Sequence, residues 1–175
     1  MKKTLIILSV FSFAFSGASL YVCGHTDDGA GNATFDICMM SDEPVAGVQF
    51  SFESGTSGFT ISGTSGGAMQ DAGFTASTGS SLVLGFSFSG ATIAPMDGVL
   101  TTISGTYANN GLHTVGPYIG AADAFSNASA GQVSVEDWST NSALATQWEA
   151  LDEICKFHTL PVSLKTFSMF PLVTL

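Results

Sequence analysis

The sequence predicts an all-β fold, a sandwich of short strands completed by one C-terminal amphipathic α-helix. Three observations predict it. From Asn32 to Tyr107 apolar and polar residues alternate with a period of two, as strands with one face on a core require. Clusters of Gly, Ser, Thr and Asn separate the runs, and these residues favour turns over helices. Beyond Asn141 the apolar period lengthens to that of a helix.

The chain opens on an address. Met1-Lys2-Lys3 is basic, Leu5 to Phe15 is apolar, and Ser16-Gly17-Ala18 is small, the three-part layout of a secretory leader. The apolar run is too short for a membrane span, which needs about 20 residues. The expected division is a leader over 1–18 cut after Ala18, a β-sandwich over 19–133 with a Gly/Ala/Asn/Ser-rich loop at 108–133, and a C-terminal helix and strand over 134–175. The product is expected outside the cell or at its surface, with no transmembrane segment.

The strands follow in order. Phe35, Ile37 and Met39 alternate with Thr34, Asp36 and Cys38. Asp42-Glu43-Pro44 turns the chain into Val48, Phe50 and Phe52, which alternate with Gln49, Ser51 and Glu53. Phe59 and Ile61 mark a shorter run. Gly63 to Ala68 has no apolar anchor and reads as a loop. Leu82, Leu84, Phe86 and Phe88 form the apolar side of the next strand, against Val83, Gly85 and Ser87. Pro95-Met96-Asp97-Gly98 has the residue order of a turn, and Val99 to Tyr107 is β-branched and aromatic. Many short strands at close spacing suggest a sandwich or barrel.

Two stretches carry a resemblance. Pro44-Val45-Ala46-Gly47-Val48-Gln49-Phe50-Ser51-Phe52 resembles the second-strand signature of cohesin-like modules. Val83 to Ile93 followed by Gly98-Val99-Leu100-Thr101-Thr102-Ile103 is similar to a later part of the same family. The resemblance spans roughly residues 32–107. It implies a jelly-roll β-sandwich of the kind shared by cohesins and some carbohydrate-binding modules, and a binding or scaffolding role rather than catalysis. Cohesins grip dockerin modules through one sheet face; no contact residue is carried over. A cohesin would continue after Tyr107 with a last long strand, whereas Ala108 to Gly131 is rich in Ala, Gly, Asn and Ser. Either that strand is replaced or the segment is an insertion.

The last third changes character. Ser134-Val135-Glu136-Asp137 has the form of a helix start. Leu144, Trp148, Leu151 and Cys155 then fall on one helical face, which predicts a helix over roughly 141–157 with Trp148 and Leu151 against the sandwich. Leu160 to Ser168 reads as a final strand. It resembles the Leu-Pro-Val-x-Leu segment that often precedes C-terminal sorting domains of secreted Bacteroidetes proteins, which would make the chain a truncated fragment.

Charge excludes several functions. The formal net charge of the 175 residues is −10, with Lys+Arg 4 against Asp+Glu 14. Nucleic acid and anionic membrane surfaces need clustered cations, so neither is an expected partner. The exported compartment permits disulfides. Cys23 with Cys38 closes a short loop and Cys38 with Cys155 would tie the ends together; sequence leaves both pairings open. Asp27-Asp28-Gly29-Ala30-Gly31-Asn32 with Asp36 is oxygen-rich, as calcium sites are, but lacks the EF-hand pattern. Solvated loop acids are the expected reading, and no cofactor is expected. No Gly-x-Ser-x-Gly elbow stands before an expected helix, and no phosphate loop or zinc spacing occurs, so the expected protein is not an enzyme. A small secreted hydrolase is the remote alternative.

Tyr118 and Trp138 are the candidates for stacking on a sugar ring. The expectation is a secreted binding, adhesion or scaffold module whose partner at the cell surface is a protein or a polysaccharide. A carbohydrate-binding module is its nearest alternative.

Overall fold

A computed structural model describes residues 17–137, 144 and 146–150. Among these residues twelve strands form two packed sheets, as the alternation predicts, with one short helix. The first sheet has the order β11-β1-β2-β7-β4, with β1 Ala18–Asp27, β2 Asn32–Ser41, β4 Thr60–Ser65, β7 Met96–Thr106 and β11 Val135–Glu136. The second has the order β10-β9-β3-β6-β5, with β3 Gly47–Glu53, β5 Thr75–Thr78, β6 Leu82–Phe86, β9 Ala124–Ser126 and β10 Gln132–Val133. Two further strands join its flank, β8 Gly111–Tyr118 on β3 and β12 Thr146–Ala150 on β8. All these pairings are antiparallel except that of β11 with β1.

Phe35, Ile37 and Met39 of β2 meet Val48, Phe50 and Phe52 of β3 in the core. Phe35 lies 5.0 Å from Phe52 and edge-on to Phe59 at 5.1 Å, the ring geometry that aromatic quadrupoles favour.

Several expectations are corrected. The apolar run of β6 is turned over: Val83 is fully buried and Gly85 faces inward, whereas Leu82, Leu84 and Phe86 lie half-buried on the outer face. The cause is steric, because a Cβ on Gly85 would collide with the end of Met69 and lie 2.8 Å from Val48 Cγ2. Gly63 to Ser65 is strand rather than loop, paired to β7, and Gly67–Asp71 is helix α1. An outer column of Gly and Ser needs only backbone ladder bonds to be a strand. Pro95 to Gly98 makes no turn, since β7 begins at Met96 and pairs with β2 from there.

Of the two readings of the segment after Tyr107, a replaced strand or an insertion, the pairing fits an interrupted strand. Tyr118 of β8 pairs with Ser51, and Ala124 of β9 pairs with Gln49, only two residues along β3. Residues 119–123 therefore bulge out of one continuous strand.

The C-terminal helix is replaced, where it is described, by a strand. Gln147 and Glu149 are exposed while Trp148 and Ala150 are buried, a local period of two that pairs with β8. Leu151 and Cys155, which completed the helical stripe, lie outside the described residues, as do the remainder of 141–157 and the expected strand at 160–168. Ser134 to Asp137 likewise starts no helix: it carries β11, and Asp137 is buried. Trp148 lies in the core as expected.

Candidate functional site

The outer faces of the two sheets differ in chemistry. On the first sheet the strand register places Thr34 beside Thr26 and Ser104, and Asp36 beside Thr102. The hydroxyls of Thr26 and Thr34 are 2.7 Å apart, and Thr102 donates to Asp36 at 2.6 Å. These groups satisfy one another, while Met40 of β2 and Val99 of β7 are exposed elsewhere on the same sheet.

The second sheet presents carbon. Leu82, Leu84 and Phe86 form an apolar column on the outer side of β6. Phe88 extends it, 85% exposed, its ring 4.8 Å from that of Phe86 at 80°. The neighbouring columns leave it uncovered: Phe86 stands between Gly47 and Thr75, and Leu84 between Gln49 and Ser77. An exposed aromatic at the end of an apolar stripe with polar margins is the usual look of a protein-contact surface.

One side of this column is bounded by the 119–123 bulge, which is pinned onto the outer face of β3. Gln49 Nε2 donates to the Ala122 carbonyl at 2.9 Å and to Asp123 Oδ1 at 3.0 Å. Ser51 Oγ and Gly120 N donate to Asp123 Oδ2 at 2.8 and 2.9 Å. A second carboxylate, that of buried Asp137, accepts from Ile119 N at 2.6 Å. Burial pushes the Asp123 carboxyl upward, but the hydrogen bonds from Gln49, Ser51 and Gly120 outweigh it and hold the group below 3.8. A carboxyl depressed in the folded state stabilises above its ordinary range, and that contribution is lost as pH falls through the lowered value. The Gly120 amide signal should therefore titrate with a midpoint below 3.8, and Asp123→Asn should abolish the titration. A midpoint at or above 3.8 would contradict the pinning.

The electrostatics of the surface are one-sided. Lys2, Lys3, Lys156 and Lys165 all lie outside the described residues, so the described sandwich contains no Lys or Arg.

The sequence candidates scatter. Tyr118 is half-buried on the outer side of β8 opposite Ser51. Trp138 lies outside the described residues. Cys23 and Cys38 are joined by a disulfide across β1 and β2 on the other sheet, with Cα atoms 5.7 Å apart. Asp27 and Asp28 fold the β1–β2 connection: Asp27 accepts from Gly29 N and the Tyr107 hydroxyl, both at 2.7 Å, and Asp28 from Ala30 N and Asn32 N at 2.7 and 3.0 Å. Burial, and then the bond to Asp27, hold the Tyr107 phenol far above its ordinary value. Among the described residues no group of three His, Cys, Asp or Glu is placed to hold a metal, and no helix is long and apolar enough to cross a membrane.

A cleft of about 350 Å³ is lined by Ile119, Ala124, Phe125 and residues 132–135, with no acid, His or Cys among the described residues of its wall. His113 is buried, its ring 5.8 Å from Trp148 and its nitrogens facing Thr56 Oγ1 and the Asn109 carbonyl. Phe86 and Phe88 read in sequence as the apolar side of a strand rather than as a contact surface, and Asp123 was not singled out. Gly85 was the available clue, since a glycine inside an alternating run marks the side where backbone and neighbours come close.

No family model and no curated protein matches the sequence. Solved structures do resemble the fold. A non-cellulosomal cohesin from the archaeon Archaeoglobus fulgidus is 11% identical, with a TM-score of 0.54, over 82% of this chain and 99% of that one. The third ScaC cohesin of Acetivibrio cellulolyticus, solved with the ScaB dockerin, is 17% identical, with a TM-score of 0.53, over 77% and 99%. A type I cohesin–dockerin complex from Clostridium thermocellum gives 9% identity and a TM-score of 0.53 over 78% and 96%. The chain has a cohesin-like β-sandwich fold.

Proposed function

We propose that this chain is an exported, non-catalytic module that seats a protein partner on the outer face of its second sheet. The Leu82, Leu84, Phe86 and Phe88 column carries the reading, because an 85% exposed Phe at the end of an apolar stripe has no role in the core of this molecule. The Cys23–Cys38 disulfide suits an oxidising compartment. Similar folds solved as cohesin–dockerin complexes make a small protein module the natural class of partner. A sandwich without Lys or Arg among its described residues favours a partner whose contact surface is apolar with a basic rim. A sugar platform would need coplanar rings, and Phe86 and Phe88 stand at 80°.

The test is a panel of dockerin modules, half with basic and half with acidic contact surfaces, titrated onto the secreted chain beside soluble polysaccharides. Saturable binding of a basic-rimmed module is expected. Phe86→Ser with Phe88→Ser should weaken it by about 2 kcal/mol, roughly 30-fold, the scale of an aromatic hot spot. The association rate should fall as salt is raised. Binding indifferent to the two substitutions would place the partner elsewhere, and saturable binding of a polysaccharide alone would replace this reading with a carbohydrate module.

A further inference from the structure

We propose that the leader is removed between Ser16 and Gly17, and that the α-amino group so released is seated on the carboxylate of Asp42. Beyond the apolar run three cuts satisfy the small-residue rule for leader removal. They fall after Ser16, after Ala18 and after Ser19, with Ala14, Ser16 and Gly17 two positions before them, and the last would remove Ala18 as the second does.

The fold distinguishes them. Gly17 N donates to Asp42 Oδ1 at 2.8 Å, and Asp42 N donates back to the Gly17 carbonyl at 3.2 Å. Gly17 has φ +139, and a Cβ there would collide with the Ser134 carbonyl, so the position is built for glycine. Ala18 is fully buried, donates to the Ser134 carbonyl at 2.7 Å, and pairs with Ser41 on one side and Val135 on the other.

A cut after Ala18 would remove this residue from the core. It would also leave β11, which among the described residues pairs with Ala18 and Ser19, half that partner. The new ammonium would then fall on Ser19, which is 5% exposed, and a charge buried in that way is costly.

A cut after Ser16 keeps every one of these contacts. Water adds across the Ser16–Gly17 peptide bond under a leader peptidase, leaving a carboxylate on Ser16 and an ammonium on Gly17. The bond to Asp42 changes from an amide–carboxylate contact to a charge-assisted pair. In a sandwich with no Lys or Arg among its described residues, that ammonium sits where an isolated carboxylate would otherwise stand.

The full chain, expressed in a secreting host and recovered from outside the cells, should begin at Gly17 by intact mass and N-terminal sequencing. A start at Ser19, or any other start, overturns the proposal. The seating is read by the rate of acylation of the terminal amine at pH 7.5. A carboxylate at this distance holds the amine protonated, so Asp42→Asn, which keeps an acceptor oxygen in place, should raise the rate about threefold to tenfold. Equal rates in the two proteins would refute the seating on Asp42.

Discussion

Trp148→Ala should lower the unfolding free energy by about 4 kcal/mol, with a fall in melting temperature of roughly 10 °C. Trp148 is fully buried at the end of the sandwich, edge-on to Phe35 at 4.9 Å and to Tyr107 at 5.1 Å, with Phe59 and His113 close by. Truncation opens a cavity among four rings and removes the main anchor of β12, whose pairing in the described structure is to β8 alone. The indole Nε1 is buried without a hydrogen-bond partner. Trp148→Phe should consequently cost much less than Ala, because it deletes an unsatisfied donor along with part of the volume. Urea denaturation of the secreted chain and both variants checks this. A loss below about 1 kcal/mol for the Ala variant would mean that β12 contributes little to the cooperative unit.

Trp148 also shows where the sequence could and could not be read. Its burial was legible, because a large aromatic among apolar neighbours belongs inside. Its secondary structure was not. Leu144, Trp148, Leu151 and Cys155 satisfy a helical period while Trp148 and Ala150 satisfy a strand period, and a five-residue strand leaves too few positions to separate the two. The free edge of β8 decides it, and an edge is a property of the assembled sheet.

The run from Leu82 to Phe88 failed for a related reason. Period two says that one side is buried without saying which, and the larger residues were assigned inward. Packing chose Val83 and Gly85 because Met69 and Val48 already occupy that side. The contact face was hidden by the assumption that carbon goes to the core. In the same way the 119–123 bulge, poor in apolar anchors, broke the alternation that would have revealed β8 and β9 as one strand. The strands β2 and β3 were legible because their alternation is long and their buried residues are mostly the large ones.

Removal of the Cys23–Cys38 disulfide, by the double substitution Cys23→Ser with Cys38→Ser, should cost about 3 kcal/mol, the loop-closure value for a sequence separation of 15. Cys23 is the residue skipped at the bulge between Val22 and Gly24, and Cys38 pairs with Tyr21, so the β1–β2 register, held by backbone pairing on both sides, should survive without the bond. The loss should then arise mainly in the denatured chain, which regains freedom in that loop, and the denaturant slope should rise with it. The third cysteine makes the assignment decisive. If Cys38 paired with Cys155 in the secreted protein, Cys155→Ser would be the damaging single change and Cys23→Ser nearly silent. With Cys23 and Cys38 bonded as in this fold, Cys155→Ser should leave the urea midpoint within error of the parent, and Cys23→Ser should shift it almost as far as the double variant. Reduction of the parent should reproduce the double variant's midpoint, because bond loss and cysteine loss then release the same loop.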